Sequence, residues 1–183
     1  VTGYPNPTVS GVAHGLTVTA LDANNNTATG YLGTVHFSSS DPSAVLPGDF
    51  TFTILNSGAE GFTITLNTAG THTITVTDTV TASLAGSQGS IAVNPGSATH
   101  FSVSGFANPT LAGASHTFLV SARDAANNTA TGYSGTVHFT STDGSATLPV
   151  DGTLIAGTGT FNAALKTAGT QALTAIDTVT ASI

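Results

Sequence analysis

Between positions 34 and 39 apolar and polar side chains alternate, with Val35 and Phe37 set between Thr34, His36 and Ser38. A period of two puts one set on the buried face of a β-strand and the other in solvent. The same alternation predicts strands over 16–21, 34–39, 50–54, 61–66, 71–77 and 90–93, and another over 99–104. The inward set is Leu16, Val18, Ala20, Val35, Phe37, Phe50, Phe52, Ile54, Phe62, Ile64, Leu66, Ile74 and Val76. The intervening threonines face water, as they do in half-buried strands.

The pattern occurs twice. DANNNTATGYLGTVHF, from Asp22, returns as DAANNTATGYSGTVHF, from Asp124, with 14 of 16 positions identical. The offset is 102 as far as Leu46-Pro47 and Leu148-Pro149, and 99 from LNTAGT at Leu66 against LKTAGT at Leu165. The second copy is thus three residues shorter between two predicted strands, where a hairpin tolerates the change. A tandem repeat of about 100 residues per copy predicts two domains, each large enough for a modest core.

Seven short strands per copy, separated by Gly, Pro and Asn, predict an all-β chain of two tandem Greek-key sandwiches. The boundaries fall at 1–95, where strand A is truncated, and 96–183, where strand G is missing because Ile183 matches Leu84. Asn94-Pro95-Gly96-Ser97 is a short, proline-stiffened linker, which predicts an end-to-end arrangement. The last strand of the second copy, near 170–177, is then expected to present an open edge. Either further repeats cover it or a strand donated by another copy does.

The segments TVTALDANNNTATGYLGTVHFSS and GFTITLNTAGTHTITVTD resemble bacterial immunoglobulin-like (Big) repeats, including those of the invasin and intimin type. The resemblance covers both copies. It implies immunoglobulin-like sandwiches serving as a structural or adhesive module in a stalk or filament, at an extracellular or cell-surface location. The implied partners are neighbouring repeats or copies of the same protein, and a host or surface glycan. The rival from another class is a carbohydrate-binding accessory module of a secreted hydrolase.

Charge narrows the alternatives. Nine acidic residues face only Arg123 and Lys166, a net charge of −7, so there is no basic surface for nucleic acid or an anionic membrane. No apolar run approaches the ~20 residues of a spanning helix, so membrane insertion is not expected. Cysteine is absent, leaving stability to packing. No GxSxG, HExxH or phosphate-loop pattern occurs, and the chain is read as non-enzymatic. His14 and His36 recur as His116 and His138, but not at metal-ligand spacing.

The acidic and amide residues remain. Loops from one pole of a sandwich of this topology would gather Asp22, Asn24, Asn26, Glu60 and Asp78 in the first copy, and Asp124, Asn127 and Asp177 in the second. Such oxygen-rich poles suit Ca²⁺, the one cofactor the sequence suggests. The competing reading is that these residues cap turns through Asx hydrogen bonds.

Overall fold

A computed structural model describes residues 1–180 and 183 and divides the chain into two compact units, Val1–Asn94 and Pro95–Ile183. The division falls one residue before the boundary drawn from the repeat.

Unit 1 contains β1 (Thr8–Val9), β2 (Ala13–Thr19), β3 (Thr34–Ser39), β4 (Phe50–Thr51), β5 (Ala59–Thr65), β6 (Gly70–Asp78) and β7 (Ala85–Asn94). One sheet has the order β1-β7-β6-β3-β4, and β2 pairs with β5 in the other. The chain changes sheet between β1 and β2, between β2 and β3, between β4 and β5, and again between β5 and β6, which makes a Greek key. The alternating residues meet between the sheets: Leu16, Val18, Val35, Phe37, Ile64, Leu66, Ile74, Val76, Ile91 and Val93 are all buried. Phe62 packs on Phe37 and edge-on to Phe50, with ring centroids 4.7 and 5.1 Å apart. Tyr4 joins this core and accepts a hydrogen bond from the Leu66 amide at 3.3 Å.

The predicted strand over 50–54 ends early. After β4 the chain enters a 3₁₀ turn, Ile54–Asn56, in which Asn56 Oδ1 accepts from the Thr53 amide and hydroxyl at 2.7 and 2.8 Å. Ile54 is therefore 65% exposed and leaves the expected core. A local side-chain bond has outcompeted the alternation.

Unit 2 contains β8 (His100–Ser104), β9 (Ser115–Arg123), β10 (Thr136–Ser141), β11 (Gly152–Thr153), β12 (Thr158–Ala164) and β13 (Leu173–Asp177). Its sheets are β12-β9-β8 and β11-β10-β13, closing over Phe118, Val120, Val137, Phe139 and Leu154. The length difference has a single structural source. Phe52 and Leu154 donate equivalent hydrogen bonds to Gly33 and Gly135, and Ser57-Gly58 matches Ala156-Gly157 in backbone conformation. Four residues lie between these landmarks in unit 1, whereas Ile155 alone does in unit 2, so the insertion is the 3₁₀ turn. Among the described residues β13 pairs with β10 only, whereas its counterpart β6 is held by both β3 and β7.

Candidate functional site

The turn after β2 is built on Asp22. Its Oδ1 accepts from the amides of Asn24 and Asn26 at 2.9 and 2.8 Å, and its Oδ2 accepts from Asn26 Nδ2 at 3.2 Å. In unit 2, Asp124 Oδ1 accepts from the amides of Ala126 and Asn128 at 2.9 and 2.8 Å, and its Oδ2 from the Gly96 amide at 2.8 Å. Asn127 takes the left-handed conformation at φ 65°, as Asn25 does at 64°, and its Oδ1 lies 3.2 Å from His100 Nε2.

Asp78 and Asp177 cap the turns that follow β6 and β13. Asp78 Oδ1 accepts from the amides of Val80 and Thr81 at 2.9 and 2.7 Å, and Asp177 Oδ1 from those of Val179 and Thr180 at 2.7 and 2.6 Å. The second oxygen of each accepts a short hydrogen bond, from Tyr31 and Tyr133 respectively. Tyr31 also packs edge-on against Phe52, 5.2 Å between centroids. A β-carbon at Gly33 would lie 2.5 Å from the Tyr31 ring, and one at Gly135 would lie 2.6 Å from that of Tyr133. The repeated Gly-Tyr-x-Gly spacing thus lets the tyrosine fold back over bare backbone to reach its aspartate.

Glu60 accepts from Asn56 Nδ2 and from the Gly61 amide, the latter at 3.2 Å. The hydrogen bonds of the predicted calcium ligands form an Asp22–Asn24–Asn26 turn, a Glu60–Asn56 pair and an Asp78–Tyr31 pair, with Asp124 and Asp177 repeating the first and third. Among the described residues no three His, Asp or Glu side chains come close enough to share a metal ion.

Sequence reasoning passed over a third pair of aspartates. Asp41 accepts from the Ser43 amide at 2.9 Å with one oxygen, and from the amides of Asn67 and Thr68 at 2.7 and 2.9 Å with the other. Asp143 does the same with Ser145, Lys166 and Thr167, and also takes the Thr167 hydroxyl at 2.7 Å. Each carboxylate ties the turn after the β3 or β10 strand to the one after β5 or β12. The repeated Asp-x-Ser, at Asp41 and Asp143, was the available signal. On the outer face His36 Nδ1 lies 2.7 Å from an Asp49 carboxylate oxygen and His138 Nδ1 2.7 Å from one of Asp151, as exposed contacts of little energetic weight.

No family model and no curated protein matches the chain. Among solved structures it is similar to the Escherichia coli adhesin FdeC, at 15% identity and a TM-score of 0.47, over 98% of this chain and 59% of that one. Invasin, a bacterial integrin-binding protein, is 18% identical with a TM-score of 0.40, over 96% of this chain and 35% of that one. A family 2 glycosyl hydrolase from Bacteroides cellulosilyticus is 12% identical with a TM-score of 0.44, over 92% of this chain and 27% of that one. The strand order of unit 1, with β7, β6 and β3 opposite β2 and β5, decides the fold. It is immunoglobulin-like.

Two solution properties of these immunoglobulin-like units follow from their aspartates. The first concerns metal: since turn amides already occupy the carboxylates, the melting curve should be unchanged in a chelator. A rise in melting temperature on adding Ca²⁺ would instead support the calcium poles.

The second concerns pH. Hydrogen bonds from Tyr31, Thr81 and Val80 hold Asp78 below the usual carboxylate range, and those from Tyr133, Thr180 and Val179 do so for Asp177. The Thr167 amide and hydroxyl lead in lowering Asp143. Burial alone would raise Asp41, but its bonds to Thr68, Ser43 and Asn67 prevail and lower it. Tyr31 and Tyr133 are raised, first by burial and then by the bond to the aspartate and its charge. A depressed carboxylate contributes stability that is complete above its unfolded value and is lost as pH falls through the folded one. A raised tyrosine contributes stability that is complete below its unfolded value and is lost as pH rises through the folded one. These aspartates and tyrosines should therefore lower the melting temperature below about pH 5 and above about pH 9. In Y31F/Y133F most of the alkaline fall should vanish, leaving the part due to Tyr4, which burial also raises. An unchanged alkaline limb in that variant would mean the Tyr–Asp bonds do not form.

Proposed function

We propose that the chain is a non-enzymatic, extracellular structural or adhesive module, part of a bacterial surface stalk or filament, whose partners are other repeats or copies of the same protein. The observation that supports this reading is the use to which the recurring polar side chains are put. Asp22 and Asp124, Asp41 and Asp143, and the Tyr31–Asp78 and Tyr133–Asp177 pairs all brace turns of their own unit. What the repeat retains in both copies is scaffold chemistry, which suits a part valued for its shape. Imaging the native material tests the reading, with a linear array or polymer of sandwich-sized beads as the expected result. A glycan array is the complementary test: the module should show no selective sugar binding. Selective binding to a polysaccharide would instead favour an accessory module of a secreted hydrolase.

A further inference from the structure

The turns after β2 and β9 hold the triplets Asn25-Asn26-Thr27 and Asn127-Asn128-Thr129, in which an asparagine is followed two residues on by threonine with no proline between. That is the acceptor pattern for an N-linked sugar, and it carries weight only where the asparagine stands on an accessible surface turn. Both do. Residues 21–27 are all exposed in unit 1, and Asn127 is exposed in unit 2. Each turn is closed by backbone bonds: the Asp22 amide donates to the Asn26 carbonyl and the Asn25 amide to the Asp22 carbonyl, at 2.8 and 3.0 Å, and Asp124, Asn127 and Asn128 repeat them at 2.9 and 3.0 Å. Asn25 and Asn127 thus occupy the same apex, both in the left-handed conformation. Among the described residues the Asn25 side chain makes no hydrogen bond, and Asn127 engages only its Oδ1, with His100. Their Nδ2 groups face solvent unpaired. The following residues differ, since Asn26 and Asn128 commit Nδ2 to Asp22 and Asp124 at 3.2 and 3.0 Å. The remaining two triplets of this kind, at Asn6 and Asn108, are closed by Pro7 and Pro109, and Asn6 also spends its Nδ2 on the Ser90 carbonyl at 3.0 Å.

We infer that Asn25 and Asn127 are acceptor sites for an N-linked sugar, transferred by a glycosyltransferase from a donor that carries the sugar on a diphosphate. In the transfer, Nδ2 bonds to the anomeric carbon of the sugar as the bond from that carbon to the diphosphate oxygen breaks. The diphosphate leaves with the electron pair, and Nδ2 gives up one proton. The Thr27 and Thr129 hydroxyls are the second element that the pattern requires. A bulky hydrophilic group at either apex reaches solvent without displacing a side-chain bond of Nδ2, so the folded units accommodate it. One acceptor per repeat, at the same turn, places the sugars at regular intervals of sequence. The inference goes beyond the structural-module reading and does not depend on it.

The test is a tryptic digest of the protein from its natural source. Trypsin cuts after Arg123 and Lys166, so Asn127 falls in the peptide of residues 124–166 and Asn25 in the peptide that ends at Arg123. Mass spectrometry with fragmentation should place a sugar on Asn25 and on Asn127. A single hexose would mark a nucleotide-linked donor and a preassembled oligosaccharide a lipid-linked one; either supports the sites. In the same host, Thr27→Ser should keep the sugar on Asn25, whereas Thr27→Val, which retains the shape and loses the hydroxyl, should abolish it. Asn127 should stay modified in both variants, and an unchanged melting curve for T27V would show that the loss is not one of folding. Unmodified asparagine at both positions overturns the proposal, as does sugar confined to serine and threonine, or a T27V chain still modified at Asn25. Modification at one position alone overturns the assignment of the other. None of these outcomes bears on the glycan array or on imaging, so the acceptor sites and the structural-module reading can fail separately.

Discussion

Replacing Ile91 by alanine should destabilise unit 1 by about 2–5 kcal/mol, the range for truncating a fully buried isoleucine. Ile91 is 0% exposed on β7, packed in the cluster that includes Tyr4, Leu66 and Ile74. The alanine loses the transfer energy of three carbons and leaves a void that the β6–β7 pairing prevents from closing. For a domain of this size each kcal/mol shifts the melting temperature by roughly 4–8 °C. The transition of unit 1 should therefore move down by more than about 10 °C, with amide exchange in unit 2 unaffected. A change under about 1 kcal/mol would mean that β7 does not pack into the core as described.

Gly157→Ala should be nearly as damaging to unit 2, for a backbone reason. Gly157 has φ +76°, and an added β-carbon would lie 2.5 Å from the Ala130 carbonyl oxygen and 3.0 Å from its carbon. That carbonyl cannot retreat, because it accepts from the Tyr133 amide while the Ala130 amide donates to Ala122, both at 2.9 Å. The left-handed conformation alone costs an L-residue about 1–2 kcal/mol, and the collision adds to it. The melting temperature of unit 2 should fall by about 10 °C or more. Ala156→Gly in the same turn, at φ 48°, is the control and should change stability by less than about 1 kcal/mol. Effects of equal size and opposite sign at the two positions would mean that conformation alone, without the collision, sets the cost.

The contrast between these neighbouring residues marks a limit on sequence reading. Gly58 and Gly157 recur in the repeat, which flags them, but their reason lies in the loops carrying Ala28 and Ala130. The same holds for Gly33 and Gly135, whose missing side chains make room for a tyrosine two residues earlier. Alternation placed β3 to the residue and found most of the core, because a period of two is a local property that burial on one face imposes. It failed at Ile54, where the Asn56 side chain closed a turn before the strand could continue.

The sequence by itself determined most of the strands, the two copies, most of the inward-facing residues and the site of the three-residue difference. Each of these depends on neighbours along the chain or on comparing one copy with the other. Only the tertiary structure decided what the aspartates do. Asp78 meets Tyr31 across 47 residues and Asp41 meets Asn67 across 26, and a carboxylate in a sequence carries no mark of which amides will surround it.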